Sequence, residues 1–165
     1  MKALEFKYEK SCDISSKELE SQYFRISKAI GIANEAVKTN YKTDFAFINL
    51  VNDKKFIEES NTLAKYFKDA GLLVVIGIGG SNLGTKAIQE AVKTNSKVKI
   101  LYADTVDADY LSEIIKEMNL CFKNKKDVVL NCVTKSGTTV ETLANFQILL
   151  DVLKRERKDY RKFVV

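Results

Sequence analysis

A chain of 165 residues with 45% apolar and 30% charged side chains has material for one packed core and is neither disordered nor fibrous in composition. A net charge of +5 raises nucleic acid as a partner, yet the basic residues are scattered apart from Lys154, Arg155, Arg157, Lys158, Arg161 and Lys162, where they complement a helix C-terminus. No apolar run reaches membrane-span length, residues 1–10 do not resemble a signal peptide, and the spacing of Cys12, Cys121 and Cys132 fits neither a disulfide framework nor a zinc site. The expectation is a cytoplasmic chain with no nucleic-acid or membrane partner and no metal. It contains no histidine, the commonest general acid–base group near neutral pH.

In chain order, Leu4, Phe6 and Tyr8 alternate with charged residues, which predicts a short extended piece. Ser15 followed by Glu18 is a capping-box pattern, and the helix it opens carries Leu19, Tyr23, Ile26, Ile30, Ala33 and Val37 on one face, with Gly31 inside it. Residues 40–53 connect, with an apolar centre at 45–51. A second helix, capped by Asn52 or Asp53, is expected to turn Phe56, Ile57, Leu63, Ala64 and Phe67 inward before Gly71 stops it. Residues 1–70 thus form a helical leader expected to pack on a sheet, and residues 71–165 carry the chemistry.

Five of the seven glycines fall between Gly71 and Gly84. The apolar run 72–76 reads as a strand buried on both faces; a glycine turn and an amphipathic segment from Thr85 to Val92 follow. Strand, glycine turn and helix aim backbone N–H groups and a helix dipole at an anion. The dinucleotide fingerprint fails because Asn82 stands where its third glycine belongs, and the P-loop fails because Thr85 and Lys86 come in reverse order. Close helix–strand packing is the other reason for glycines here. Gly80 is expected to need glycine either for ligand approach or for a positive φ.

Residues 98–102 read as a second strand, Asp107 as the cap of a helix carrying Leu111, Ile114, Ile115 and Met118, and 127–133 as a third strand. The turn Thr134-Lys-Ser-Gly-Thr-Thr139 leads into a helix whose face holds Leu143, Phe146, Leu149, Leu150 and Leu153, and residues 162–165 open a fourth strand. The predicted class is α/β: a parallel sheet between helices in a Rossmann-like three-layer arrangement, preceded by the leader. Because the last residues sit inside a strand, the chain is expected to be the front portion of something longer. Four hydroxyls and Lys135 within residues 134–139 suit a phosphate, although a Ser/Thr-rich helix cap has the same composition.

Gly77-Ile-Gly-Gly-Ser-Asn-Leu-Gly84 and Val133-Thr-Lys-Ser-Gly-Thr-Thr-Val-Glu-Thr142 closely resemble the two phosphate-binding segments of the glucose-6-phosphate isomerase family, in the same order and setting. The resemblance runs from about Phe45 to Val165 and implies a sugar-isomerase (SIS) fold, a sugar-phosphate substrate, no cofactor and a homodimer. It implies that Gly80 and Ser81 lie against the sugar phosphate, that Ser136 and Thr139 bind the phosphate with Thr142 supporting them, and that Lys135 stands beside it. Thr134 takes a place usually held by serine, and Asn82 one often held by tyrosine. The glutamate base, ring-opening histidine and arginine of the family cannot be placed in this chain, and Glu141 is read as a dipole partner rather than the base. Two alternatives stand beside this reading: a phosphosugar-binding regulatory SIS module without catalysis, and a nucleotide-binding Rossmann domain using Asp104, about 25 residues after the turn.

Overall fold

The computed structural model describes residues 13–39, 41–92 and 96–165; the expected extended piece at Leu4 to Tyr8, and Cys12, lie outside the described residues. The chain divides into two compact units between Ser60 and Asn61.

In the first unit, α1 (Ser16–Val37) begins with the capping box: Glu18 N–H donates to Ser15 Oγ at 3.3 Å and Ser15 N–H donates to Glu18 Oε2 at 2.9 Å. The bonds from Ser15 hold the Glu18 carboxyl below its usual range. The apolar centre 45–51 is a 3-10 helix, Asp44–Asn52, tied to the end of α1 by Asn49 Nδ2 donating to Val37 O at 3.1 Å, with Ala36 and Ala46 buried. Asp53 opens α2 (Lys54–Tyr66), within which the division between the units falls, by accepting from Phe56 N–H at 3.2 Å. One expectation is corrected. The face of α2 expected to point inward is largely exposed, with Phe56 at 55% and Ile57 at 53%, and the apolar face of α1 is exposed at Tyr23 (66%) and Ile26 (51%). Periodicity identifies which face of a helix is apolar; it does not say what covers that face.

In the second unit, β1 (Leu72–Ile76), β2 (Lys99–Ala103) and β3 (Val128–Cys132) form a parallel sheet in the order β2-β1-β3. Val74 stands in register with Leu101 on one side and Leu130 on the other. Against Leu72, Val74, Ile76 and Leu130 pack Leu111, Ile114 and Met118 of α4 (Ala108–Lys123), with Leu149 and Leu153 of α5 (Val140–Glu156). The expected apolar faces of these two helices are therefore the ones buried, except that Leu143 is 42% exposed. Right-handed crossovers with this strand order put α3 (Leu83–Val92) on the opposite face of the sheet. There α3 is reversed relative to its pattern. Asn82, Lys86 and Gln89, spaced along one stripe, are the residues withdrawn from solvent, while Leu83, Ile88 and Val92 are each more than 60% exposed.

The expected fourth strand is reduced to one parallel bridge, Leu130 to Val164, with Cys132 N–H donating to Val165 O and Val165 N–H to Leu130 O, both at 2.9 Å. A 3-10 turn, Tyr160–Phe163, uses the residues that would have lengthened it. Arg157 holds this segment in place. Its Nη1 reaches Asp127 Oδ1 at 2.6 Å, its Nε reaches Asp159 Oδ1 at 3.1 Å, and its guanidinium lies 4.2 Å from the Phe163 ring centroid. Arg157→Ala should lower stability by about 1–2 kcal/mol after allowance for solvent screening, and lysine should not restore it because it lacks the planar fork. Urea unfolding of the three proteins checks this; an unchanged midpoint for Arg157→Ala, or full rescue by Arg157→Lys, contradicts it.

Candidate functional site

With order β2-β1-β3, the chain leaves β1 toward one face and β3 toward the other, so the topological switch point lies beyond the carboxyl ends of these two strands. The glycine turn and the hydroxyl-rich turn both start there. Val133 N–H donates to Ile76 O at 2.8 Å, carrying the β1–β3 pairing into the loops. Gly77 is where the two turns meet: a Cβ on it would stand 2.9 Å from Val133 O and 3.0 Å from Ser81 Cβ.

The glycine turn continues through Gly79 in the left-handed region (φ 59°) into a short 3-10 turn, Gly79–Ser81. The positive φ thus falls on Gly79 and not on Gly80. A Cβ at Gly80 would meet nothing within 4 Å, so no contact within the chain demands glycine there. Ser81 is half-buried. In the second turn Gly137 takes φ 70°, and Thr134 Oγ1 accepts from its N–H at 3.1 Å. Ser136 Oγ accepts twice, from Thr138 N–H at 3.2 Å and from Thr138 Oγ1 at 2.8 Å. A hydroxyl that already accepts twice has its own proton left to donate. Ser136 and Lys135 are exposed, Thr139 is half-buried as the N-cap of α5, and Thr142 is 2% exposed. Thr142 therefore sits behind the loop.

Three helices start at this end of the sheet, and their caps differ. Asp107 closes α4 with its own carboxylate, accepting from Asp109 and Tyr110 N–H at 2.9 and 3.0 Å. Thr139 makes no side-chain cap bond on α5, whose first intrahelical bond is Leu143 N–H to Thr139 O. The N–H groups of Val140, Glu141 and Thr142 are thus without intrahelical partners. Asn82 holds the cap position of α3, since its C=O accepts Lys86 N–H at 2.9 Å, yet its carboxamide is buried with neither polar atom partnered. Anion-receptive helix ends therefore lie behind the two predicted turns, and the third is self-satisfied.

Asn145, which the sequence reading passed over, and Lys86, which it weighed only for the P-loop, link elements beside these turns. Asn145, 2% exposed, donates from Nδ2 to Thr105 O at 2.8 Å and so ties α5 to the loop after β2. The available signal was a pair of polar residues, Thr142 and Asn145, on the stripe continued by Leu149 and Leu153. Lys86 pairs with Asp104 at 3.1 Å, and that hydrogen bond raises the lysine pKa. The same pair counts against the nucleotide alternative, which needs the Asp104 carboxylate for a ribose hydroxyl. Burial pushes the Cys132 thiol up, so it stays protonated near neutral pH and is no nucleophile. Among the described residues no cluster of His, Cys, Asp and Glu is arranged to hold a metal, and no helix is long and apolar enough to cross a membrane.

Sheet order and the helices on its two faces define a doubly wound α/β domain, with two helix ends uncapped by side chains at its switch point. The family model for phosphoglucose isomerase matches residues 31–164. A probable glucose-6-phosphate isomerase of Methanococcus maripaludis is 32% identical over 98% of this chain and 37% of its own length. A glucose-6-phosphate isomerase of Acholeplasma laidlawii is 38% identical over 61% of the chain and 23% of its own. A solved structure, a hypothetical protein of Thermus thermophilus, superimposes with a TM-score of 0.64 at 26% identity, over 88% of this chain and 34% of that one. The chain belongs to the phosphoglucose isomerase family. It spans about a third of the length of curated relatives that match four fifths or more of it.

Proposed function

We propose that this chain supplies the phosphate-holding part of a glucose-6-phosphate isomerase site. In this reading Ser81, Ser136 and Thr139 donate hydroxyl protons to the sugar phosphate, Thr134 and Lys135 flank it, Gly80 lets it approach the backbone, and Thr142 supports the turn. The observation that carries the reading is the Ser136 hydroxyl, already accepting twice, beside the uncapped start of α5. The names of the relatives guide the choice of sugar phosphate. The whole protein would interconvert glucose 6-phosphate and fructose 6-phosphate as a cytoplasmic homodimer without a cofactor. Residues 1–70 would serve as a helical leader and 71–165 as the SIS-type subdomain.

Ser136→Ala and Thr139→Ala should each weaken glucose 6-phosphate binding by about 1–2 kcal/mol, the scale for a hydrogen bond to a charged group. Isothermal titration of both variants beside wild type is the test. Wild-type affinity in both would remove the phosphate from this loop.

A further inference from the structure

Lys86 is oddly placed for a surface lysine. It lies in the first turn of α3, where the helix dipole disfavours a cation and where an anion is expected to bind. Its Nζ stands over the Tyr102 ring, 5.5 Å from the centroid, and meets Asp104 Oδ2 at 3.1 Å. Asp104 follows the last residue of β2, and Gly77 N–H reaches Ala103 O at 3.4 Å, so Asp104 stands one strand over from the start of the glycine turn. Parallel strands are about 4.8 Å apart, well inside the roughly 10 Å over which salt leaves charges in contact. The Asp104 carboxylate, only 22% exposed, therefore lies within electrostatic reach of the start of the glycine turn. Asn145 ties the next residue's carbonyl to α5, which fixes the backbone that carries Asp104.

We propose that Lys86 is a positioning residue for anion binding: by holding and neutralising Asp104, it removes a carboxylate that would repel the phosphate at the glycine turn. This rests on the phosphosugar reading above. Glu90, on the same helix, also bears on Tyr102, but it is exposed and makes no ion pair with Lys86.

The test uses Lys86→Met, Asp104→Asn and the double variant, each titrated with inorganic phosphate and with glucose 6-phosphate. A purely structural pair would make both single variants equally weak, since each breaks the same bond. Neutralisation splits them. Lys86→Met should bind about three- to tenfold more weakly, because it leaves Asp104 bare, and this defect should shrink in high salt. Asp104→Asn should bind within about twofold of wild type or more tightly, and the double variant should follow Asp104→Asn and not Lys86→Met. Lys86→Gln, which keeps a polar side chain, gives the same reading if methionine packs poorly. Equal losses in the two single variants, or wild-type affinity in Lys86→Met and Lys86→Gln, overturns the inference while leaving the phosphosugar site standing. Wild-type protein that binds neither ligand overturns both.

Discussion

Given saturating glucose 6-phosphate, the 165-residue chain is expected to bind the sugar phosphate and leave it unconverted. Holding the phosphate stabilises substrate and transition state alike, which lowers KM without assisting the chemical step. Isomerisation must also remove the proton next to the carbonyl and open the ring, and a positioned base or acid is typically worth about 10²–10⁴-fold each. The chain has no histidine. Its one carboxylate in the first turn after the phosphate loop, Glu141, is exposed and lies where it complements the α5 dipole. Turnover should therefore fall at least about 10⁴-fold below that of a complete family enzyme under the same conditions. Coupled detection of fructose 6-phosphate, with a relative of full length as the reference, measures it. Turnover near that of the relative would mean that a base and an acid stand among these residues.

The second large effect separates two neighbouring glycines. Gly77→Ala places a methyl 2.9 Å from the backbone oxygen of Val133 and 3.0 Å from Ser81 Cβ, and backbone held by a strand pair cannot retreat. Overpacking of this kind costs about 1–3 kcal/mol, so Gly77→Ala should lose several degrees of melting temperature and bind sugar phosphate poorly because the two turns are pushed apart. Gly80→Ala should behave differently. Its Cβ meets nothing within 4 Å and its φ is not positive, so the melting temperature should hold while affinity falls as the methyl occupies the ligand's approach. Thermal unfolding and titration of the two variants decide it. A Gly80→Ala protein that keeps full affinity shows that no ligand approaches that backbone.

The sheet and the two turns were legible because their signals are local. Three apolar runs bounded by glycine or polar residues gave β1, β2 and β3 to within a residue at their ends, and Ser15 with Glu18 and Asp107 named their own helix starts. What the sequence left hidden depends on partners. The apolar stripe of α3 is plain in its spacing, yet the helix withdraws Lys86 and Gln89 from solvent, and Lys86 meets Asp104 and Tyr102 of the β2 end. Only the β2–β1 pairing reveals that neighbourhood. Asn145 was hidden for the same reason, since its partner lies 40 residues away. The division of labour among the glycines needed coordinates too. Spacing marks a glycine-rich turn, but it does not say that Gly77 is crowded, Gly79 left-handed and Gly80 open.

Titration of the ¹⁵N-labelled chain with glucose 6-phosphate, followed amide by amide, tests the account most directly. The amides of Gly80 and Ser81 in the first turn, and of Thr138, Thr139, Val140 and Glu141 in the second, should shift together with one dissociation constant. Those of Asp109 and Tyr110, at the helix start closed by the Asp107 carboxylate and outside both turns, should stay in place. Shifts confined to the start of α4, or no shift in either turn at saturating ligand, would contradict a phosphate site between the two loops.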